Sequence, residues 1–134
     1  MPRYYGATEQ EEGKVSVWLR TGDGPEGISD VFEEQYGDDD APLSPFSGAF
    51  KFYYDHDYLE TGGGGGLQPV EEVFRDGSYI ETYRDAVIEA AHAKGLTHAG
   101  GAALLYDHVY LVGKTKVRQA LGYTFLGVFD FKRG

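Results

Sequence analysis

The sequence predicts an α+β fold: a small, mostly antiparallel sheet of four to five strands packed against two or three helices. Three observations predict it. Strict two-residue alternation occurs near both ends of the chain, in KVSVWLR (14–20) and GYTFLGVFDFK (122–132). Helical spacing follows SYIE (78–81) in between. The elements do not alternate in the βαβ manner of a parallel sheet, and no convincing internal repeat divides them. A length of 134 residues suits one domain, taken as 14–134 behind a polar lead-in at 1–13. An apolar fraction of 41% is enough to build a core of this size.

Each element has its own reason. In 14–20, Val15, Val17 and Leu19 share one face, and Ser16, Trp18 and Arg20 share the other. A tryptophan on the nominally polar side predicts that this side is covered as well. TGDGPEG (21–27) is a turn, with Pro25 suited to the first turn of a helix over 25–36. GDDDAPLSPFSG (37–48) reads as a loop because three adjacent aspartates and two prolines oppose a central strand. AFKFYY (49–54) resumes β character, and the pentaglycine at 62–66 reads as a flexible connector, costly to order.

A short helix is expected at about 69–76, broken by Asp76-Gly77. The clearest helix begins at Ser78, where Ser78 and Glu81 form a capping box. Ile80, Tyr83, Val87, Ala90 and Ala91 line its apolar face, and Gly95 ends it. GAALLYD (101–107) reads as a buried strand. HVYLVGKTKVRQAL is ambiguous, with a strand at 108–112 and a helical turn at 115–121 as one solution. The last strand alternates Thr124/Leu126/Val128/Asp130 against Tyr123/Phe125/Phe129/Phe131.

Charge and composition narrow the function. Residues 1–94 carry 20 acidic and 7 basic side chains, while 95–134 carry 2 acidic and 5 basic, within a net of −10. That field repels nucleic acid phosphates and speeds association with a basic partner, so DNA and RNA are not the expected ligands. The absence of cysteine removes disulfides, thiol nucleophiles and cysteine zinc sites, and it suits the cytoplasm. No segment has the apolar length of a membrane span, and the N-terminus lacks the apolar core of a secretory signal.

FYYDHDYLE (52–60) is the segment with the most chemistry per residue. A metal site would draw on Asp55, His56, Asp57, Asp107 and His108. On one strand, however, Asp55 and Asp57 share a face while His56 points away. His92 and His98 add no ligand spacing such as H-E-x-x-H. A carboxylate-based or metal-dependent hydrolase centred on Asp55-His56-Asp57, with Glu60 as a further carboxylate, is the enzymatic alternative. The pentaglycine lacks the strand–helix context and the Lys-Ser/Thr of a phosphate loop. As a lid over a ligand pocket it would make the chain a binding scaffold. No cofactor is implied. Eleven tyrosines exceed what a small core holds with satisfied hydroxyls, so some belong at the surface, where tyrosine beside aspartate suits protein contact.

The order VSVWL, a short acidic helix, LSPFSGAF, FYYDHDYLE, ALLYDH and FLGVFDF resembles immunity protein family 22. These are bacterial proteins of polymorphic toxin systems, in which an immunity protein binds and neutralises a cognate toxin. The resemblance covers about 15–60 and 101–131, and its most specific run is Tyr54-Asp55-x-Asp57-Tyr58-Leu59-Glu60. It carries over to Trp18, Phe46, Phe50, Tyr54, Asp55, Asp57, Leu59 and Glu60, with an aromatic also at Tyr58. It places His56 at a variable position. The glycine-rich RTGDGPEG, the pentaglycine and the N-terminal extension depart from the family pattern. The resemblance implies a toxin inhibitor that is not an enzyme, and the acidic, tyrosine-rich, cysteine-free composition suits an inhibitor of a basic protein such as a nuclease, acting in the cytoplasm. Asp38, Asp39, Asp40, Asp55, Asp57, Tyr58 and Glu60 are the expected contact patch, and Trp18, Phe46, Phe50, Tyr54 and Leu59 the structural signature.

Overall fold

A computed structural model describes residues 8–21, 45–50, 58–75, 80–120 and 122–132. Its five strands are β1 (Thr8–Arg20), β2 (Leu59–Pro69), β3 (His98–Tyr110), β4 (Gln119–Ala120) and β5 (Tyr123–Asp130). They form one antiparallel sheet in the order β2-β3-β1-β5-β4. The helices are α1 (Pro45–Phe50), α2 (Val70–Val73), α3 (Arg84–Ala93) and α4 (Val112–Thr115), with a 3-10 turn at Ile80–Thr82. The α+β expectation holds in outline, with the sheet dominating and most helices short.

The alternation in β1 builds two cores, as the position of Trp18 predicts. Val15, Val17 and Leu19 join Ala102, Leu104 and Tyr106 of β3 on an aliphatic face. Val70, Val73 and Phe74 of α2 and its end cover that face, together with Tyr83, Val87 and Ala91 on α3. On the opposite side Trp18 meets Ala103, Leu105, Tyr110, Tyr123 and Phe125 beneath Phe46 and Phe50 of α1. Burying each of these large side chains stabilises the fold by about 1.5–3 kcal/mol relative to exposure.

Several elements depart from the sequence reading. Residues 8–13 of the lead-in extend β1, where Thr8, Glu9 and Gln10 pair with Tyr110, Val109 and His108. Residues 45–50, divided above between a loop and a strand, form α1. Pro45 occupies its first turn, where proline is tolerated, and Phe46 and Phe50 are spaced to meet Trp18 from one side. The pentaglycine is part of β2, with Gly62 opposite Ala102 and Gly63 opposite Gly101. Pairing to β3 offsets the entropy that propensity alone counts against it, although the register breaks between Gly63 and Gln68. The short helix is confined to α2. Residues 108–110 continue β3, and the helical turn precedes 115–121 as α4, leaving β4 in that span. The helix over 25–36 and Ser78 of the capping box lie outside the described residues. The regular helix there starts at Arg84, after the 3-10 turn, and Gly95 (φ +77°) ends it in the left-handed conformation that glycine favours.

Strand β5 changes faces partway. Val17 pairs with Gly127 but Trp18 pairs with Phe125, so Leu126 is an extra residue at a bulge. Gly127 has φ +151°, where a residue with a Cβ would be strained. Tyr123 and Phe125 therefore face the aromatic core, whereas Leu126, Phe129 and Phe131 face the aliphatic one. This corrects the simple alternation, which groups Tyr123, Phe125, Phe129 and Phe131 together.

Candidate interaction surface

The aromatic face is the part of the fold that gathers the structural signature residues. Trp18 is fully buried, and its ring lies 5.2 Å from Phe46, 5.9 Å from Phe50, 5.3 Å from Tyr110 and 5.2 Å from Phe125. The Phe46 and Phe50 contacts are edge-on, the arrangement that ring quadrupoles favour. Phe46 also meets Tyr123 edge-on at 5.6 Å, so α1 is clasped between β1 and β5. Leu59 and Tyr58 pack against the rim of this cluster, with Leu59 opposite Leu105 on β3.

Hydrogen bonds lock the floor of the face. The Tyr110 hydroxyl lies 3.0 Å from the Phe50 carbonyl and 2.8 Å from the Val117 carbonyl, tying α1 and the segment after α4 to β3. Thr115 supports it from the side and accepts the Val117 N–H. Burial raises the Tyr110 phenol above its ordinary range, with the Thr115 hydrogen bond and the Arg118 charge opposing. Burial pushes Tyr123 up to about 12 against the charge of Arg20.

A corner where β1 and β3 both bend fixes the position of Tyr110. The β1–β3 register shifts between Gln10 and Val15, and Asp107 adopts φ +61°, uncommon for a residue with a side chain. The Gly13 N–H donates to Asp107 Oδ1 at 3.0 Å, and Phe131 N–H donates to the Gly13 carbonyl at 2.9 Å. Ser16, fully buried in an otherwise apolar run, donates to the His108 carbonyl and accepts the Tyr110 N–H. Asp107 and His108, weighed above as metal ligands, thus serve the sheet. The Asp107 carboxylate is 7% exposed as a residue and engaged with Gly13, and His108 Nδ1 bonds the Tyr106 carbonyl at 2.8 Å.

The remaining histidines have neighbours of their own. His92 Nε2 lies 3.2 Å from Glu71 Oε1, and His98 Nδ1 lies 3.0 Å from the Thr97 hydroxyl. Among the described residues no group of three or more His, Cys, Asp or Glu is placed to hold a metal ion. No described helix is long and apolar enough to cross a membrane.

The expected contact patch divides. Asp38, Asp39, Asp40, Asp55 and Asp57 lie outside the described residues, as do Tyr54 and His56. Tyr58 is half-buried and meets the His108 ring edge-on at 5.2 Å, on the aromatic side. Glu60 pairs with Leu104, a residue of the aliphatic face, and its charge helps raise the Tyr83 phenol there. Paired residues of neighbouring strands point to the same side of a sheet, so Tyr58 and Glu60 belong to opposite faces.

The sequence adds one relation to this geometry. Residues 22–44 carry eight acidic side chains and no basic one. They leave β1 at Thr21, whose N–H donates to the Gly122 carbonyl beside Tyr123, and they rejoin the described chain at α1. Residues 51–57 leave α1 at Phe50 and rejoin at Tyr58. Three of the four ends of these stretches, the two ends of α1 and Tyr58, therefore lie at the aromatic face, while Thr21 bonds Thr124, which pairs with Leu19 of the aliphatic face. Sequence reasoning missed Tyr110 and Ser16 as determinants of this face. A serine interrupting an apolar strand is the signal that was available.

Among known proteins, the sequence model of the family described as Immunity protein 22 matches residues 15–132, nearly the whole chain. No curated protein and no solved structure matches it.

Proposed function

Because this chain belongs to the Immunity protein 22 family, we propose that it binds a cognate bacterial toxin and neutralises it by protein–protein contact, without catalysing a reaction. The family carries a toxin-neutralising role. The observation that supports a contact on the aromatic side is that three of the four ends of the two acidic stretches lie there, at the two ends of α1 and at Tyr58. Buried aromatics fix where the stretches begin and end, and their carboxylates attract a basic partner from a distance.

Asp38, Asp39, Asp40, Asp55, Asp57 and Tyr58 form the proposed contact set, and Glu60 contributes from the edge strand β2. A basic toxin, such as a nuclease whose own site binds phosphate, is the partner this charge fits. The inhibitor acts in the cytoplasm, where such a toxin finds its target. The test is co-expression with the toxin domain encoded by the neighbouring gene, combined with binding of the two purified proteins. Rescue of growth and a stoichiometric complex are expected. Cells that die despite soluble expression, with no complex formed, refute the proposal.

A further inference from the structure

The end of the sheet next to the C-terminus of α3 carries a different charge from the rest of the molecule. An open cleft of about 310 Å³ is lined there by Lys94, Leu96, Arg118, Gln119, Thr124 and Phe125. A neighbouring cleft of about 300 Å³ shares Gln119 and Thr124 with it and continues to Thr21 and Tyr123. Lys94 and Arg118 have exposed side chains, and neither has an ion-pair partner among the described residues. In a chain of net charge −10, two cations facing one cleft without a described carboxylate beside them are a specific local arrangement.

The rest of the lining is equally selective. Gln119 Nε2 donates to Thr124 Oγ1 at 3.3 Å, and Thr124 Oγ1 lies 2.9 Å from Thr21 Oγ1, so a polar chain separates the two clefts. The Phe125 N–H donates to the Arg118 carbonyl at 2.7 Å, which fixes the backbone that carries the guanidinium. Leu96 and the largely buried Phe125 supply apolar surface below the cations. The charged groups are all donors, and a guanidinium fork matches a carboxylate or phosphate in two hydrogen bonds. The volume suits a small organic molecule.

We propose that this cleft binds a small organic anion, one carboxylate or phosphate group on an apolar body, with Arg118 and Lys94 holding the anion and Leu96 and Phe125 the body. Anion binding at this cleft does not depend on the toxin, so it can be tested on the chain alone.

The test uses the full chain and three probes followed by amide chemical shifts. The probes are phenyl phosphate, N-acetylphenylalanine and inorganic phosphate. At least one aromatic anion is expected to shift the amides of Lys94, Leu96, Arg118 and Phe125 in a saturable manner. Which of the two binds more tightly separates a phosphate ligand from a carboxylate one, and inorganic phosphate is expected to bind about tenfold more weakly for want of the apolar contact. Arg118→Gln is expected to weaken binding about tenfold, the loss of a charge-assisted hydrogen bond, and Lys94→Gln several-fold. Both side chains are exposed, so the variants keep the fold, and an unchanged spectrum away from the cleft verifies this. The proposal is overturned if neither aromatic anion shifts these amides. It is equally overturned if inorganic phosphate binds as well as the aromatic anions, or if binding survives the double variant.

Discussion

The two faces of the sheet solve the same burial problem with different materials. The aliphatic face packs Val15, Val17, Leu19 and Leu104 against α2 and the ten-residue α3, in an ordinary helix-on-sheet layer. Among the described residues, the aromatic face closes Trp18, Tyr110, Tyr123 and Phe125 with the six residues of α1. A helix that short has no stability of its own in water, so its existence depends on what Phe46 and Phe50 bury. The first face can be built from propensity and periodicity. The second is held by particular rings, and both ends of α1, where the acidic stretches meet it, lie there.

The largest effect that would sharpen this comparison comes from truncating one large residue on each side. Trp18→Ala is expected to cost about 3–5 kcal/mol and Leu19→Ala about 2–5 kcal/mol in urea unfolding, since each leaves a cavity in a closed core. The difference lies in α1: Trp18→Ala should release its amides to hydrogen exchange well before global unfolding, and Leu19→Ala should not. Equal protection of α1 in both variants would mean that the faces are not separate units.

Next in size is Ser16→Ala, expected to cost about 1–3 kcal/mol because it strands the buried Tyr110 N–H and loses the bond to the His108 carbonyl. Ser16→Thr, which keeps the hydroxyl, should recover part of that loss if the added methyl is accommodated. A neutral Ser16→Ala would show that the corner at Asp107 holds Tyr110 without it.

Alkaline pH probes both faces at once. Burial is the main cause of the rise of Tyr83, on the aliphatic face, and of Tyr123, on the aromatic face, from the usual 10.0 to about 12. A raised phenol pKa means the folded state retains a proton that the unfolded chain releases. That stabilisation is fully present below pH 10 and is lost as pH rises through about 12. The urea midpoint should fall across this window, and either Tyr83→Phe or Tyr123→Phe should make the fall shallower. If only one of them does, the other hydroxyl is exposed in solution.

The smallest effect on stability and the most direct on function comes from charge. Reversal of Asp38, Asp39 and Asp40 should leave the unfolding free energy within about 0.5 kcal/mol. It should slow toxin association several-fold at low salt and much less at high salt. Glu60→Lys, on the other face, should slow it less. An equal effect of Glu60→Lys would place the contact on the sheet edge rather than on the aromatic side.

Much of this architecture could be read from residue order. Trp18 on the polar side of an alternating strand implied a second covered face, and Gly95 marked the end of α3. What escaped were the places where tertiary pairing overrides local preference. The first two residues of the pentaglycine, Gly62 and Gly63, pair with β3, which no local pattern announces, and the short α1 depends on Trp18 beneath it. The division of Tyr58 from Glu60 was hidden because Tyr58 precedes the regular strand, so two-residue alternation does not extend to it. The acidic stretches were legible as charge, and the placement of their ends was not, because it depends on where β1, α1 and β2 begin and end.

The bulge at Gly127 has a bearing on how relatives of this chain can diverge. It makes β5 serve two cores in succession, so a one-residue deletion there would send Phe129 and Phe131 to the wrong side of the sheet. Relatives that keep both cores should therefore keep the residue count of this strand even where its side chains differ.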